Sequence, residues 1–349
     1  MASAAYTEAW LPGPAATQFY TRTYLPPAGT APRAVVVAVH GFAEHIGRYA
    51  HFHPRVAARG IAVFAFDQRG FGLTGLDTTG KRSRDSAYGK TSWREQMGDV
   101  AWALGHAGTA FAGVPVFLYG HSMGGAEVLG FAMQGDKYKA AVDSLSGVIA
   151  TSPLIRQTTP APKALKWVGG KLSVIMPNML IPAEVKAEQL SHDAEVNAAY
   201  LKDPLVKQSG SLKGINDMLN HGEALLKEGV SRWPKTLPFI IIHGTEDKVT
   251  DFKASQIFHD KVTATTKKIS LYQGGYHELH NEPDGVKEKL ADEIVSFIEE
   301  HANIGSAQAE APPAPEQVIE EPKPAEPEDL ITTEERTGAA GAGATKAKM

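Results

Sequence analysis

The chain has 349 residues, a formal net charge of −4 at pH 7 and no cysteine. This length can bury a large core, and the small charge gives no electrostatic support for nucleic-acid binding. The lack of thiols excludes disulfides, thiolate metal sites and cysteine nucleophiles, and favours an intracellular location. The N-terminal residues lack the basic start and apolar core of a signal peptide, and no stretch approaches the roughly 18 uncharged apolar residues of a membrane span. We therefore expect a cytoplasmic protein that is soluble or peripheral to membranes.

Apolar, β-branched runs alternate with helical patterns along the first 150 residues. Alternation of this kind, with strands that are apolar throughout, is typical of a mostly parallel sheet with helices on both faces. The same rhythm resumes near residue 237 and continues to residue 302. The predicted strands are 34–40, 60–66, 114–120, 145–153, 237–244 and 267–274, and the predicted helices are 51–59, 92–107, 126–134, 252–262 and 284–302.

The interval 153–236 interrupts this rhythm with several prolines and short helical pieces, and it has no clear strand. We predict a helical cap inserted over the C-terminal edge of the sheet, where open α/β proteins bind ligands. From residue 303 the chain is rich in Ala, Pro, Glu and Gly and is acidic, which predicts a disordered tail. The expected organisation is a core formed by residues 1–152 and 237–302, a cap at 153–236 and a tail at 303–349.

The stretch "YGHSMGGAE" (119–127) follows an apolar run and precedes a helical pattern. Small residues two positions on either side of Ser122 permit a turn that lifts the serine hydroxyl clear of the sheet. A phosphate-binding loop would need GxxxxGK[ST], and no lysine follows these glycines. The spacing therefore predicts that Ser122 is a nucleophile.

A serine at such a turn requires an acid and then a histidine, each after a later strand. The strand ending in "IIIHG" is followed by Glu246, Asp247 and Asp251, and the strand ending in "LYQGG" by His277 and His280. Asp247 is preferred as the acid because it lies close to the strand end, whereas Asp251 is expected to cap the next helix. His277 directly follows a flexible turn and is preferred as the base. His280 is expected to have a surface or packing role.

The chemistry requires these residue types. A serine hydroxyl is a poor nucleophile near neutral pH, so a neutral imidazole must take its proton. A buried carboxylate orients that imidazole and stabilises its charged form. Backbone N–H groups should bind the oxyanion, and the best candidates are Met123, after the serine, and Phe42, in the loop "HGFAEHIGRY".

Several other polar residues are predicted to be structural. His51 and His53, with His45 nearby, could suggest a metal site, but only Glu44 supplies a carboxylate in their vicinity, so we expect solvated or capping histidines and no metal. The remaining assignments are Glu44 and Arg48 as braces of the oxyanion loop, His121 as packing beneath the serine turn, and Asp67 with Arg69 as a structural pair.

The cap segment 164–182 is strongly apolar and has lysines at its front edge. Two interpretations remain open: a helix buried against the sheet edge, or a mobile lid that lines an acyl channel and contacts a membrane or lipid-droplet surface. Under the second interpretation, the candidate substrate-binding residues are Leu172, Ile175, Met176 and Met179.

Six motifs together resemble one known family over about residues 15–300: "HGFAEHIGRY", "FAFDQRGFG", "YGHSMGGAE", "SHDAEVNAAYLKDPLV", "HGTEDKVTDFKAS" and "YHELHNEP". They closely resemble the monoacylglycerol lipases of the α/β-hydrolase fold, in a fungal form. The resemblance implies a monoacylglycerol substrate and no cofactor. It also implies that Ser122 is the nucleophile, Asp247 the acid, His277 the base, and Phe42 and Met123 the oxyanion donors.

Three functions are weighed. The first is hydrolysis of a monoacylglycerol to glycerol and a fatty acid through an acyl-enzyme on Ser122. The second keeps the same residues but acts on lysophospholipids, on short esters as a general carboxylesterase, or on peptide N-termini. The third is a non-catalytic binding scaffold, against which the presence of Ser122, Asp247 and His277 argues.

Overall fold

The computed structural model describes residues 6–302, apart from the side chains of residues 228 and 229. The predicted tail, 303–349, lies outside the described residues, so its disorder remains a prediction. Among the described residues, no helix is long and apolar enough to cross a bilayer.

Eight strands form one sheet in the order β1-β2-β4-β3-β5-β6-β9-β10. The first two pairings, β1 with β2 and β2 with β4, are antiparallel, and every other pairing in this sheet is parallel. The mostly parallel sheet is therefore confirmed. Its strands are β1 (Thr7–Pro12), β2 (Gln18–Tyr24), β3 (Ala34–Val39), β4 (Ile61–Phe66), β5 (Val116–His121), β6 (Leu145–Thr151), β9 (Phe239–Gly244) and β10 (Lys267–Tyr272). A separate two-stranded ladder is formed by β7 (Leu180–Pro182) and β8 (Ser209–Ser211).

Helices cover both faces of the sheet, as expected. Alternate residues of β3 show why: Val35 and Val37 pack into a core with α3, α4 and α9, whereas Val36 and Ala38 pack into a second core with α1 and α10. Successive strand side chains point to opposite faces, so a strand covered on both faces must be apolar throughout. The helices are α1 (His53–Ala58), α2 (Gly72–Leu76), α3 (Trp93–Ala110), α4 (Met123–Ala132), α5 (Gly135–Asp143), α6 (Lys163–Ile175), α7 (Ala194–Lys202), α8 (Leu212–Ala224), α9 (Phe252–Lys261) and α10 (Val286–His301).

Two strand pairings, one in the large sheet and one in the separate ladder, were not predicted. The N-terminal hairpin of β1 and β2 is an edge element with half-exposed residues, so it lacks the apolar run that indicates a buried strand. The ladder of β7 and β8 corrects the expectation of an interval without strands; its strands have three residues each, too short for a periodicity to emerge.

The segment between β6 and β9 contributes α6, α7 and α8 as well as this small ladder. We call it the β6–β9 insertion. It borders the C-terminal end of the parallel strands, because residues 183–185, 190, 200, 215, 218 and 219 line the same cavity as Ser122 and His277. The loops that follow β3, β5, β9 and β10 meet at this edge of the sheet.

Candidate active site

Ser122 lies in a tight turn between β5 and α4. Its backbone has φ 55° and ψ −117°, a strained conformation for a residue with a side chain. The neighbouring glycines make this turn possible: a Cβ on Gly120 would lie 2.2 Å from the carbonyl oxygen of Gly124, and a Cβ on Gly124 would lie 2.3 Å from that of Val39. The small residues around the serine are therefore required by close backbone packing.

The three residues predicted to act together lie in a continuous hydrogen-bonded row. Ser122 Oγ lies 3.0 Å from His277 Nε2, and His277 Nδ1 lies 2.8 Å from Asp247 Oδ2. Because a carboxylate only accepts hydrogen bonds, Nδ1 carries the proton and Nε2 can accept from the serine hydroxyl. All three residues are buried, with at most 8% of their surface exposed.

The electrostatics of the row match a serine activated by a histidine. Burial alone would raise the pKa of Asp247, but the charge of His277 and hydrogen bonds from both adjacent histidines hold that pKa well below its ordinary value. Burial likewise opposes protonation of His277, but the charge of Asp247 and its hydrogen bond raise the pKa of the imidazole. The acid is therefore ionised, and it favours the charged form of His277 that arises when a proton is taken from serine.

The loop after β3 lies directly against the serine. A Cβ on Gly41 would be 3.1 Å from the Cβ of Ser122, and Phe42 borders the same cavity. Met123 is the first residue of α4, where a backbone N–H has no acceptor within its own helix. Phe42 and Met123 thus flank the serine from two sides, as two oxyanion donors would.

Glu44 and Arg48 connect this loop to its surroundings. Glu44 accepts hydrogen bonds from the backbone N–H of Gly41 (2.5 Å) and from the Tyr49 hydroxyl (2.8 Å), and Arg48 donates to it (3.1 Å). These contacts agree with the predicted bracing role. Burial raises the pKa of Glu44, which is opposed by the charge of Arg48.

Comparison with known proteins gives the family. Residues 30–284 match the family described as serine aminopeptidase, S33. A Schizosaccharomyces pombe protein provisionally named a monoglyceride lipase is 33% identical over 301 residues, which cover 84% of this chain and 74% of the relative. A monoacylglycerol lipase of Mycolicibacterium smegmatis is 32% identical, with coverage of 78% and 90%. This chain belongs to the monoglyceride lipase family.

A solved structure agrees with this assignment. A soluble variant of the Saccharomyces cerevisiae monoglyceride lipase, in complex with a substrate analogue, has a TM-score of 0.73 and 26% sequence identity to this chain. The match covers 85% of this chain and 95% of the yeast chain. The α/β-hydrolase fold expected from the resemblance is therefore confirmed, and the loops that carry the row of three residues belong to a monoglyceride lipase architecture.

The cavity of this monoglyceride lipase fold has two chemically different sides. It has a volume of about 140 Å³ and is bordered by Ser122 and His277. Charged and phenolic groups line one part of it, and apolar side chains line another. The polar lining is Glu44, Arg48, Tyr200 and Glu278, and the apolar lining includes Leu154, Ile215, Met218, Leu219 and Val249.

A second cavity of about 350 Å³ lies next to the first, beneath α6. The two cavities share the lining residues Gln157, Ala183, Ile215 and Leu219. Of the four predicted substrate-binding residues, Leu172 and Met179 line this second cavity. Ile175 and Met176 line neither cavity and are 76% and 47% exposed, which corrects their placement. Ile175 is the last residue of α6, and Met176 is the C-cap residue that follows it.

Two structural predictions about polar residues were wrong. Asp67 and Arg69 do not pair: Arg69 donates to Asp99 on α3 (2.8 and 2.7 Å), while Asp67 accepts from the N–H groups of Ile46 (2.9 Å) and Leu73 (2.6 Å). Each of these two residues therefore binds groups more distant in sequence than the other, which is only two residues away. His53 is neither solvated nor capping, because it is 2% exposed and stacks on Tyr49.

Other predictions about polar residues agree with the structure. Asp251 caps α9 by accepting from the N–H of Lys253 (2.9 Å). His280 is fully buried and stacks on Tyr49, which is a packing role. His121 is buried and packs against His277, with ring centroids 4.9 Å apart.

Sequence reasoning missed two groups that contact Asp247 and a third that lies beside His277. Glu278 binds Arg48 beside the histidine, the Thr250 hydroxyl lies 2.8 Å from Asp247 Oδ2, and His243 lies 3.1 Å from the same oxygen. Glu278 and Thr250 could have been suspected from their closeness in sequence to His277 and Asp247. His243 is part of a buried strand, and strand residues there are predicted as core.

Proposed function

We propose that this chain hydrolyses the ester bond of monoacylglycerols to glycerol and a free fatty acid. The observation that carries the proposal is the row of Ser122, His277 and Asp247, set on a strained turn that opens into a cavity with a polar and an apolar side. Membership of the monoglyceride lipase family supports the substrate class.

The chemistry divides into two half-reactions. Ser122 Oγ attacks the ester carbonyl carbon while His277 Nε2 takes the hydroxyl proton. The developing oxyanion accepts hydrogen bonds from the N–H groups of Phe42 and Met123; loss of one such donor typically costs about 3–4 kcal/mol of transition-state stabilisation. His277 then donates its proton to the glycerol oxygen, which leaves, and an acyl-enzyme remains.

In deacylation, water is the nucleophile and Ser122 Oγ is the leaving group. His277 takes a proton from a water molecule, whose oxygen attacks the acyl carbonyl, and the second oxyanion forms at the same place. Collapse of this intermediate returns the proton to Ser122 Oγ and releases the fatty acid. Asp247 stays ionised throughout and stabilises each imidazolium.

The two-sided cavity suits a small polyol joined to one acyl chain. Glu44, Arg48 and Glu278 offer acceptors and donors to glycerol hydroxyls, and the apolar wall begins the path for the acyl chain. The adjoining cavity, with Leu172 and Met179, extends that path. Each buried CH₂ contributes about 0.8 kcal/mol, so a longer chain gains affinity as it fills the second cavity.

The exposed face of α6 supports peripheral association with a membrane or lipid-droplet surface. Trp167 is 67%, Val174 81% and Ile175 76% exposed, so this face is not buried against the sheet edge. An amphipathic helix of this kind can lie in a lipid interface. Lys163 and Lys171 are exposed, and Lys171 lies over the ring of Trp167, 5.9 Å from its centroid, where it can meet headgroups. Lys166 instead pairs with Glu223 on α8.

Anionic substrates fit the cavity less well than neutral ones. Both terminal nitrogens of Arg48 already bind Glu278, and one of them also binds Glu44, so two carboxyl groups surround the one guanidinium. A phosphate placed there would meet carboxylates rather than a free cation. This arrangement argues for monoacylglycerols over lysophospholipids.

A substrate panel tests the proposed function. Hydrolysis rates are compared on a monoacylglycerol, a triacylglycerol, a lysophospholipid and an aminopeptide, with fluorophosphonate labelling of Ser122 as a test of the nucleophile. We expect labelling and the highest kcat/KM on the monoacylglycerol. Labelling with preferred turnover of the lysophospholipid would contradict the substrate, and absence of labelling would contradict the mechanism.

A further inference from the structure

The carboxylate of Asp247 contacts a second buried histidine besides His277. His243, the fifth residue of β9, lies with Nε2 3.1 Å from Asp247 Oδ2. Its other ring nitrogen, Nδ1, lies 2.8 Å from the Oγ of Ser255 on α9. Both His243 and Ser255 are fully buried. A chain of hydrogen bonds therefore runs from Ser255 on α9 through His243, near the end of β9, to the carboxylate of Asp247.

The neighbours of His243 determine which of its two ring nitrogens carries the hydrogen. Nε2 faces Asp247 Oδ2 and also the carbonyl oxygen of Thr250, at 3.2 Å. Neither oxygen can donate, so Nε2 must carry the hydrogen. Nδ1 is then the acceptor, and the Ser255 hydroxyl donates to it. His243 in this arrangement donates a hydrogen bond to the acid.

The two histidines share one carboxylate oxygen. Oδ1 of Asp247 already accepts from the N–H groups of Val249 (2.7 Å) and Thr250 (2.9 Å), so Oδ2 is left for the side-chain donors. The Thr250 hydroxyl also donates to Oδ2, at 2.8 Å. The Ser255 hydroxyl holds the far side of the His243 ring and so fixes the direction in which its Nε2–H points.

We propose that Ser255 and His243 are positioning residues for the acid: their hydrogen-bond chain fixes the orientation of the Asp247 carboxylate that accepts from His277. The inference rests on the proposed roles of Ser122, Asp247 and His277. Failure of the proposed function and failure of this inference give different results. If the proposed function fails, fluorophosphonate labelling is lost altogether. If this inference fails, labelling and its pH profile are unchanged in the variants.

Three variants test the role of His243. His243→Leu removes the donor, His243→Gln keeps an N–H donor, and His53→Leu is the matched control, since His53 is a buried histidine that makes no contact with Asp247 within the described residues. For His243→Leu we expect kcat to fall about tenfold with KM within about twofold, because a charge-assisted hydrogen bond is lost. His243→Gln should recover most of this loss.

The pH profile of kcat/KM separates positioning from packing. With fewer donors to Asp247, its charge acts more strongly on His277, so the acid limb should move to higher pH in His243→Leu. Ser255→Ala should move it in the same direction by a smaller amount, because the His243 ring is then held less firmly and donates to Asp247 less well. The other titratable groups that act on His277 are constant across the variants: Glu44, Glu278, His121 and His280.

Shifts to higher pH in both variants, larger in His243→Leu than in Ser255→Ala, with the profile of His53→Leu unchanged, would support the proposal. An unchanged profile in both, or an equal shift in His53→Leu, would overturn it. If His243→Leu does not fold, then His243→Gln and Ser255→Ala decide: wild-type kcat and profile in Ser255→Ala would overturn the inference.

Discussion

Arg48 makes two parallel hydrogen bonds to Glu278, from Nη1 to Oε1 (2.6 Å) and from Nη2 to Oε2 (2.7 Å). The pair ties the loop after β3, which carries Phe42, to the loop after β10, which carries His277. Burial alone would raise the pKa of Glu278, but the charge of Arg48 lowers it to about 2. One buried ion pair thus fixes the loop of Phe42 relative to the loop of His277.

We expect Arg48→Met to destabilise the protein strongly, because removal of one partner leaves an unpaired buried carboxylate and typically costs about 3–5 kcal/mol. Arg48→Lys should be less destabilising, but it should also lower kcat, since an ammonium group cannot form the bidentate hydrogen bonds to Glu278. Chemical denaturation measures the first effect and steady-state kinetics the second. Wild-type stability in Arg48→Met would show that the pair is not structural.

Glu127, in α4 behind the serine, makes stability depend on pH. It is fully buried, and burial, with the nearby charge of Asp99, raises its pKa from 4.5 to about 8. The folded state therefore holds a proton that the unfolded state has lost, and the free energy of unfolding falls as pH rises from about 4.5 to about 8. Glu127→Gln should remove this fall and unfold at a higher temperature than wild type at pH 9.

Calorimetry of both proteins across this pH range checks the prediction. Asp217 on α8 is a useful control, because it is also buried but accepts hydrogen bonds from the N–H of Trp93 and from Lys213. Asp217→Asn should lose stability without removing the fall between about pH 4.5 and 8 that is due to Glu127. Parallel pH profiles for wild type and Glu127→Gln would contradict a protonated Glu127.

The exposed face of α6 should govern binding to lipid surfaces. Trp167→Ser with Ile175→Ser should weaken binding to phosphatidylcholine vesicles and lower turnover of vesicle-borne long-chain monoacylglycerol, while hydrolysis of a short dissolved ester and the melting temperature stay close to wild type. Leu201→Ser is the matched control, since Leu201 is as exposed as Trp167 but lies on α7. Equal vesicle binding by all three proteins would show that α6 is not the docking surface.

The residues that line both cavities should determine the length of acyl chain that the protein accepts. Leu219→Trp adds bulk at a position that lines both cavities, so it should lower kcat/KM for long-chain monoacylglycerols much more than for short-chain ones. The ratio of the two rates in one protein preparation serves as the internal control for folding. A uniform loss on both substrates would mean that the second cavity does not hold the acyl chain.

Most of what the sequence predicted concerns buried, regular elements. The strand "AVVVAV" is apolar on both faces because helices cover both, and the glycines near Ser122 are required by backbone contacts within the turn. Local patterns of this kind can be recognised without knowledge of the fold. The hairpin of β1 and β2 escaped prediction because its stability comes from pairing with β4, which is distant in sequence.

The polar partners were harder to predict. Arg69 binds Asp99, which is 30 residues away in sequence, rather than Asp67. His243 is only four residues from Asp247, but it belongs to an apolar strand, where a side chain is predicted to be part of the core. The apolar segment of α6 was compatible with either a core or a surface helix. Composition alone could not decide between them, since the same residues suit a protein interior and a lipid interface.

The release of glycerol from a long-chain monoacylglycerol, measured for the wild type and for folded Ser122→Ala, tests the central claim most directly. The account predicts glycerol release by the wild type and a loss of more than about 1,000-fold in kcat for the variant, at an unchanged melting temperature, because the three residues act as a unit. A folded Ser122→Ala protein that still released glycerol at a comparable rate would contradict it.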